Sequence, residues 1–137
     1  MADLTITATS VLPGGSAVIA RGNAGAAVTA GQVVYLDTAA GTYKLADCDS
    51  ATAAARSPSG IALHGAASGQ PLAVLTSGNI TIGATVTAGV AYYLSGTAGG
   101  ICPVADLATG DYPTLIGFAT SASVVRVSLV ESGVALA

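Results

Sequence analysis

Val86-Thr87-Ala88-Gly89-Val90-Ala91-Tyr92-Tyr93-Leu94 repeats Val28-Thr29-Ala30-Gly31-Gln32-Val33-Val34-Tyr35-Leu36 at an offset of 58 residues, with six of nine positions identical. Each copy reads as the same local event. A strand entering at Val is turned by Ala-Gly, because Gly reaches positive φ without a Cβ clash, and the β-branched and aromatic run that follows restarts the strand. The correspondence continues outward. Thr38-Ala39-Ala40-Gly41 matches Gly96-Thr97-Ala98-Gly99-Gly100, Leu45-Ala46-Asp47 matches Val104-Ala105-Asp106, and Gly60-Ile61-Ala62 matches Gly117-Phe118-Ala119. The chain therefore reads as two similar halves, about 28–82 and 86–131, too small to bury separate cores. The expected fold is all-β: a short-stranded barrel or sandwich over 28–137, with a thin core of Ala and Val. Residues 1–27 lie outside the duplication. Leu12-Pro13-Gly14-Gly15 breaks them into two pieces, expected to be an N-terminal arm or extra strands suited to a neighbour's sheet edge.

Period-two alternation of Val, Thr and Ile between Gly, Ser and Asn marks eleven candidate strands. They are Leu4 to Thr9, Ser16 to Arg21, Gln32 to Asp37, Thr42 to Ala46, Gly60 to His64, Pro71 to Thr76, Asn79 to Gly83, Val90 to Ser95, Gly100 to Val104, Leu115 to Thr120 and Ser123 to Val130. In the last, Val125, Val127 and Leu129 form one apolar face. Ser50 to Arg56 is expected to be a loop with one helical turn, stopped by Pro58.

Composition then excludes several classes of function. Charged residues make up 8% of the 137, where roughly 25% is usual. Four Lys and Arg against seven Asp and Glu cannot build the phosphate-neutralising patch of a nucleic-acid binder. The stretch from Gly65 to Ala105 has no charge, and the mean hydropathy is +0.71. Even so, Leu72 to Ala91 is interrupted by Thr, Ser, Asn and Gly throughout, so a membrane-spanning helix is not expected. The N-terminus carries Asp3 where an export signal would carry Lys or Arg, so the chain is expected to stay in the cytoplasm of the cell that makes it.

The polar residues supply little chemistry. His64, the one histidine, ends a strand and has no partner spacing for a triad, and no G-x-S-x-G occurs. Asp47 and Asp49 lack the remaining ligand positions of a calcium loop and read as solvated loop acids, as do Asp106 and Asp111. Cys48 and Cys102 lack metal-ligand spacing and are expected as reduced, partly buried thiols. Tyr35, Tyr92 and Tyr93 occupy matching places in the repeat and are expected to pack, one of the adjacent pair inward and the other outward. No catalytic, cofactor-binding or metal-ligating residue is assigned, and an enzyme is not expected.

Over Thr85-Val86-Thr87-Ala88-Gly89-Val90-Ala91-Tyr92-Tyr93-Leu94-Ser95, then Thr97 to Leu107 and Ile116-Gly117-Phe118-Ala119-Thr120, the sequence resembles the capsid decoration, or cement, proteins of tailed bacteriophages. The resemblance is strongest over 85–130 and looser over 28–76, and it carries no functional residue. It implies a β-rich virion protein on the outer capsid surface that stabilises the lattice. Its partners would be the major capsid protein and other copies of itself, as a homotrimer. The alternative is a head-fibre or tail-associated β module whose exposed tyrosines bind a host-surface receptor or glycan.

Overall fold

A computed structural model describes residues 3–136. The strands are β1 (Val11–Pro13), β2 (Val18–Asn23), β3 (Val33–Asp37), β4 (Thr42–Leu45), β5 (Gly60–Ala62), β6 (Pro71–Ile82), β7 (Ala91–Leu94), β8 (Ile101–Pro103), β9 (Thr114–Ala119) and β10 (Val124–Glu131). They form one antiparallel sheet curled into a half-barrel, in the order β4-β3-β5-β6-β10-β9-β7-β8. The chain is nearly all β. Among the described residues, helical geometry is confined to short 3₁₀ turns at Ala8–Ser10, Ala53–Arg56 and Val104–Asp106. The second of these is the single turn expected before Pro58.

β6 organises the sheet. Leu75 pairs with Ile61 of β5 and with Ile19 of β2, and Ile80 pairs with Val125 of β10 and with Pro13 of β1. One edge of β6 therefore holds β5 and β10, and the other holds β1 and β2. Two expected strands, 71–76 and 79–83, are thus one. Ser77-Gly78-Asn79 has turn composition, but Gly78 takes φ +98 in a continuous strand whose register with β2 shifts here. A bulge of this kind accepts an extra residue without ending the ladder.

Residues 3–23 lie against their own chain. β1, read from sequence as a break, pairs with Ile80 to Ile82. Leu4 to Thr9, expected as a strand, is a strap fixed by Leu4 N–H to Ile101 O (2.8 Å) and Thr7 N–H to Gly83 O (2.8 Å). Leu4 and Ile6 pack on the core from this strap, so their alternation records burial without a ladder.

The ends of the curled sheet are tied by the turn after β7. Val33 N–H donates to Gly99 O (2.9 Å), and Gly99 N–H donates to Ala46 O (2.7 Å). Inside lies one large core containing Val33, Ile61, Leu75, Ile80, Leu94 and Ile116, all fully buried. A smaller cluster, with Val28, Val34, Tyr43, Leu72 and Val74, occupies the opposite face of the first strands. Ala and Val make up 16 of the 29 buried apolar residues among those described, and Ile and Leu supply the largest of the fully buried side chains.

Both turn glycines of the duplicated motif behave as expected, Gly31 at φ +89 and Gly89 at φ +83. Gly60 and Gly117 are required for another reason. A Cβ on Gly60 would run into the Leu75 carbonyl, and one on Gly117 into the Arg126 carbonyl. Backbone on the neighbouring strand cannot yield as a flexible side-chain tip does. Gly60→Ala and Gly117→Ala should each destabilise the protein by about 3 kcal/mol. Gly41→Ala, strained at φ +71 but facing open space, should cost about 1 kcal/mol. Thermal unfolding of the three variants checks the ranking.

Candidate functional site

The residues singled out from sequence fall into separate surroundings. His64 is exposed at the end of β5, and both ring nitrogens are occupied. Nδ1 lies 2.9 Å from the Gly65 carbonyl oxygen, and Nε2 accepts the Ala73 N–H at 3.1 Å. The proton therefore sits on Nδ1, and the ring joins the end of β5 to β6. No acid takes part.

The aspartates do come together, which spacing alone could not show. Cys48 N–H donates to Ser95 O (3.1 Å) and Tyr112 N–H donates to Cys48 O (2.9 Å), drawing the loops at 47–49, 95–97 and 104–112 to one place. Asp3, Asp49, Asp106 and Asp111 then line an open basin of about 670 Å³ floored by Ser95, Gly96 and Thr97, with no Lys or Arg in its lining. Two of these acids serve the backbone and neighbouring hydroxyls. Ser95 Oγ donates to Asp3 Oδ1 (2.7 Å), and Ala108 N–H donates to Asp111 Oδ2 (2.9 Å). Asp47, just behind, accepts the Asp49 N–H on Oδ1 at 3.1 Å. Burial, then the adjacent Asp49, push its carboxyl up to about 6. Among the described residues, no group of three or more His, Cys, Asp or Glu has the arrangement of a metal site.

Cys48 and Cys102 are both buried as free thiols. Burial, reinforced by the nearby carboxylates, pushes each thiol up to about 12, so neither is a nucleophile at neutral pH.

The tyrosines divide as the adjacent pair was expected to, but the matching positions do not share a role. Tyr35 and Tyr92 are buried in the large core, whereas Tyr93, the sequence counterpart of Tyr35, is half-buried. Tyr92 Oη accepts the Thr87 N–H at 3.0 Å, so its ring and hydroxyl belong to the turn at Val86-Thr87-Ala88-Gly89. Sequence reasoning missed the outer face of β7, β9 and β10. There Phe118 is 51% exposed beside Arg126, which has no hydrogen bond or ion pair among the described residues. The signal was available: Phe118 alternates with buried Gly117 and Ala119, and Arg126 with buried Val125 and Val127.

No helix among the described residues is long and apolar enough to cross a membrane. No protein-family model, curated protein or solved structure matches the chain.

Two outcomes follow from this geometry. In the native protein at pH 8, both thiols should resist a disulfide reagent that titrates them within minutes in denaturant. For Asp47, the fold favours the neutral carboxyl, so the stability it contributes is complete below its ordinary value of 3.8 and is lost as pH rises through about 6. Asp47→Asn keeps the acceptor for the Asp49 N–H and should flatten that part of the stability profile, leaving the variant slightly more stable than wild type at pH 7. Denaturant unfolding between pH 3.5 and 7.5 measures the difference.

Proposed function

We propose that this chain is a structural virion protein. On this reading it binds the outer surface of a phage capsid, links neighbouring major capsid subunits, self-associates as a trimer and catalyses no reaction. The observation that carries the reading is the phrase by which the sequence resembles decoration proteins. Its strand-forming parts fall on β7, β8 and β9, consecutive neighbours across the sheet, with its turns holding backbone contacts to the rest of the fold. A rigid β body with extended faces suits a protein whose work is contact.

The reading includes a duplicated unit, and matching ladders support it. Val34↔Leu45, Tyr35↔Lys44 and Leu36↔Tyr43 correspond to Tyr92↔Pro103, Tyr93↔Cys102 and Leu94↔Ile101. Val33↔Ile61 and Val34↔Gly60 correspond to Ala91↔Phe118 and Tyr92↔Gly117. The turn bonds match as well: Gly31 N–H to Ala62 O (2.8 Å) and Gly89 N–H to Ala119 O (2.7 Å). On this reading the halves, about 28–82 and 86–131, meet just after β6, and residues 1–27 are an addition outside the duplication. A receptor-binding module would need exposed aromatic platforms, and the burial of Tyr92 removes one of the two tyrosines it would use.

The test is made on particles. Virions lacking the protein should lose DNA at lower temperature and after milder osmotic shock than complete ones, and adding back purified protein should restore resistance. Equal resistance with and without the protein would refute a stabilising role.

A further inference from the structure

The ladder between β6 and β10 ends at Val127↔Gly78, because farther along the same edge of β6 Leu75 pairs with Ile61 of β5. Where β10 leaves β6, the sheet surface opens into a recess of about 440 Å³ lined by Ser16, Ser77, Gly78, Asn79, Arg126 and Ser128. Apart from Val127, every side chain in its wall is polar, and none is acidic. Arg126 stands directly opposite Asn79 in the ladder, and Ser128 follows it on the exposed side of β10. The side chains of Ser16, Ser77, Asn79, Arg126 and Ser128 have no hydrogen-bond or ion-pair partner among the described residues. Such a group of donors calls for water or a ligand to complete it.

The backbone around the recess is also unusual. Gly78 takes φ +98, and a Cβ there would run into the Ser16 carbonyl. Ser16 takes φ 62, the one non-glycine residue with positive φ among those described. Strained conformations of this kind persist only where the surroundings impose them, and they concentrate at ligand sites.

We infer that this recess binds a tetrahedral oxyanion of the phosphate class, with Arg126 as the charged contact and Ser77, Asn79 and Ser128 as neutral donors. The chemistry of the lining selects the ligand. A guanidinium stays charged at neutral pH, and its planar fork takes two oxygens at once. The hydroxyls and the Asn79 amide add donors around it. A tetrahedral anion has further oxygens for them, whereas both oxygens of a carboxylate are taken by the fork. A metal cation would meet Arg126 and no carboxylate, and an apolar ligand would meet one apolar side chain, Val127. The inference concerns this chain alone, so it holds or fails independently of capsid binding.

The test is an NMR titration of the isotope-labelled full chain with sodium phosphate at pH 7.5, against sodium chloride at equal ionic strength. Phosphate should shift the amides of Ser16, Ser77, Gly78, Asn79 and Ser128 along saturating curves, and chloride should not. Arg126→Gln, at an exposed strand position, should keep the rest of the amide spectrum and weaken binding by about tenfold or more. Ser128→Ala, which removes a neutral donor, should weaken it by about threefold. Glycerol phosphate and glycerol distinguish the sources of the anion. Saturation by the ester as well as the free ion supports a site for phosphate groups carried on larger molecules, and saturation by inorganic phosphate alone supports a site for the ion itself. No saturable shift, an equal response to glycerol, shifts spread evenly to Arg21 and Lys44, or Arg126→Gln that titrates like wild type would overturn the inference.

Discussion

One strand, Pro71 to Ile82, carries a ladder on each edge along most of its length, and the rest of the fold is arranged by what that requires. Its first part must be apolar on both faces. Leu72 and Val74 enter the small cluster, Leu75 enters the large core, and Ala73 is buried between their rows. Its second part is covered on one side only. Ile80 and Ile82 point inward, while Asn79 and Thr81 are half-buried on the other face. The change falls at Gly78, where a Cβ would strike the Ser16 carbonyl, so the bulge is held by close backbone contact with the turn before β2. The doubly covered and singly covered parts of the sheet are two stretches of the same strand.

This explains how far the strands were legible. Where one face is buried, as in Val124 to Glu131, alternation names both the strand and its inward residues. Where both faces are buried, the run Leu72-Ala73-Val74-Leu75 reads as a strand but gives no orientation. At Ser77-Gly78-Asn79, local turn chemistry and the long ladder compete, and the ladder wins because β2 pairs up to Ser77, β10 takes over from Gly78 and β1 follows from Ile80. The Leu4 to Thr9 strap shows the reverse error. Alternation reports which side chains are buried, and only a free neighbouring edge converts that into a strand.

The duplicated motif was legible for the same reason that its consequences were not. Val28-Thr29-Ala30-Gly31 and its counterpart fix local geometry, a positive-φ glycine and a turn bond to the next G-hydrophobic-A strand, and these are short-range properties of residue type. Which face each copy turns toward the large core is decided by packing between distant strands. Val33 and Tyr35 point into it, yet their counterparts Ala91 and Tyr93 do not, and Tyr92 and Leu94 take that role. A pattern of period two cannot distinguish these choices, because sliding the inward set by one residue leaves the alternation intact. The matching places of Tyr35 and Tyr93 therefore do not share a role, although the adjacent pair divides inward and outward as expected.

The same argument bears on charge. Read singly, Asp47, Asp49, Asp106 and Asp111 are ordinary loop acids, and their gathering depends on backbone bonds from Cys48 to strands and loops far along the chain. Gathering them has a cost, visible in Asp47, whose carboxyl is held toward its neutral form by burial and by Asp49. A protein with only 8% charged residues has ample apolar material for its loops, so concentrating its acids in one basin is not forced by composition.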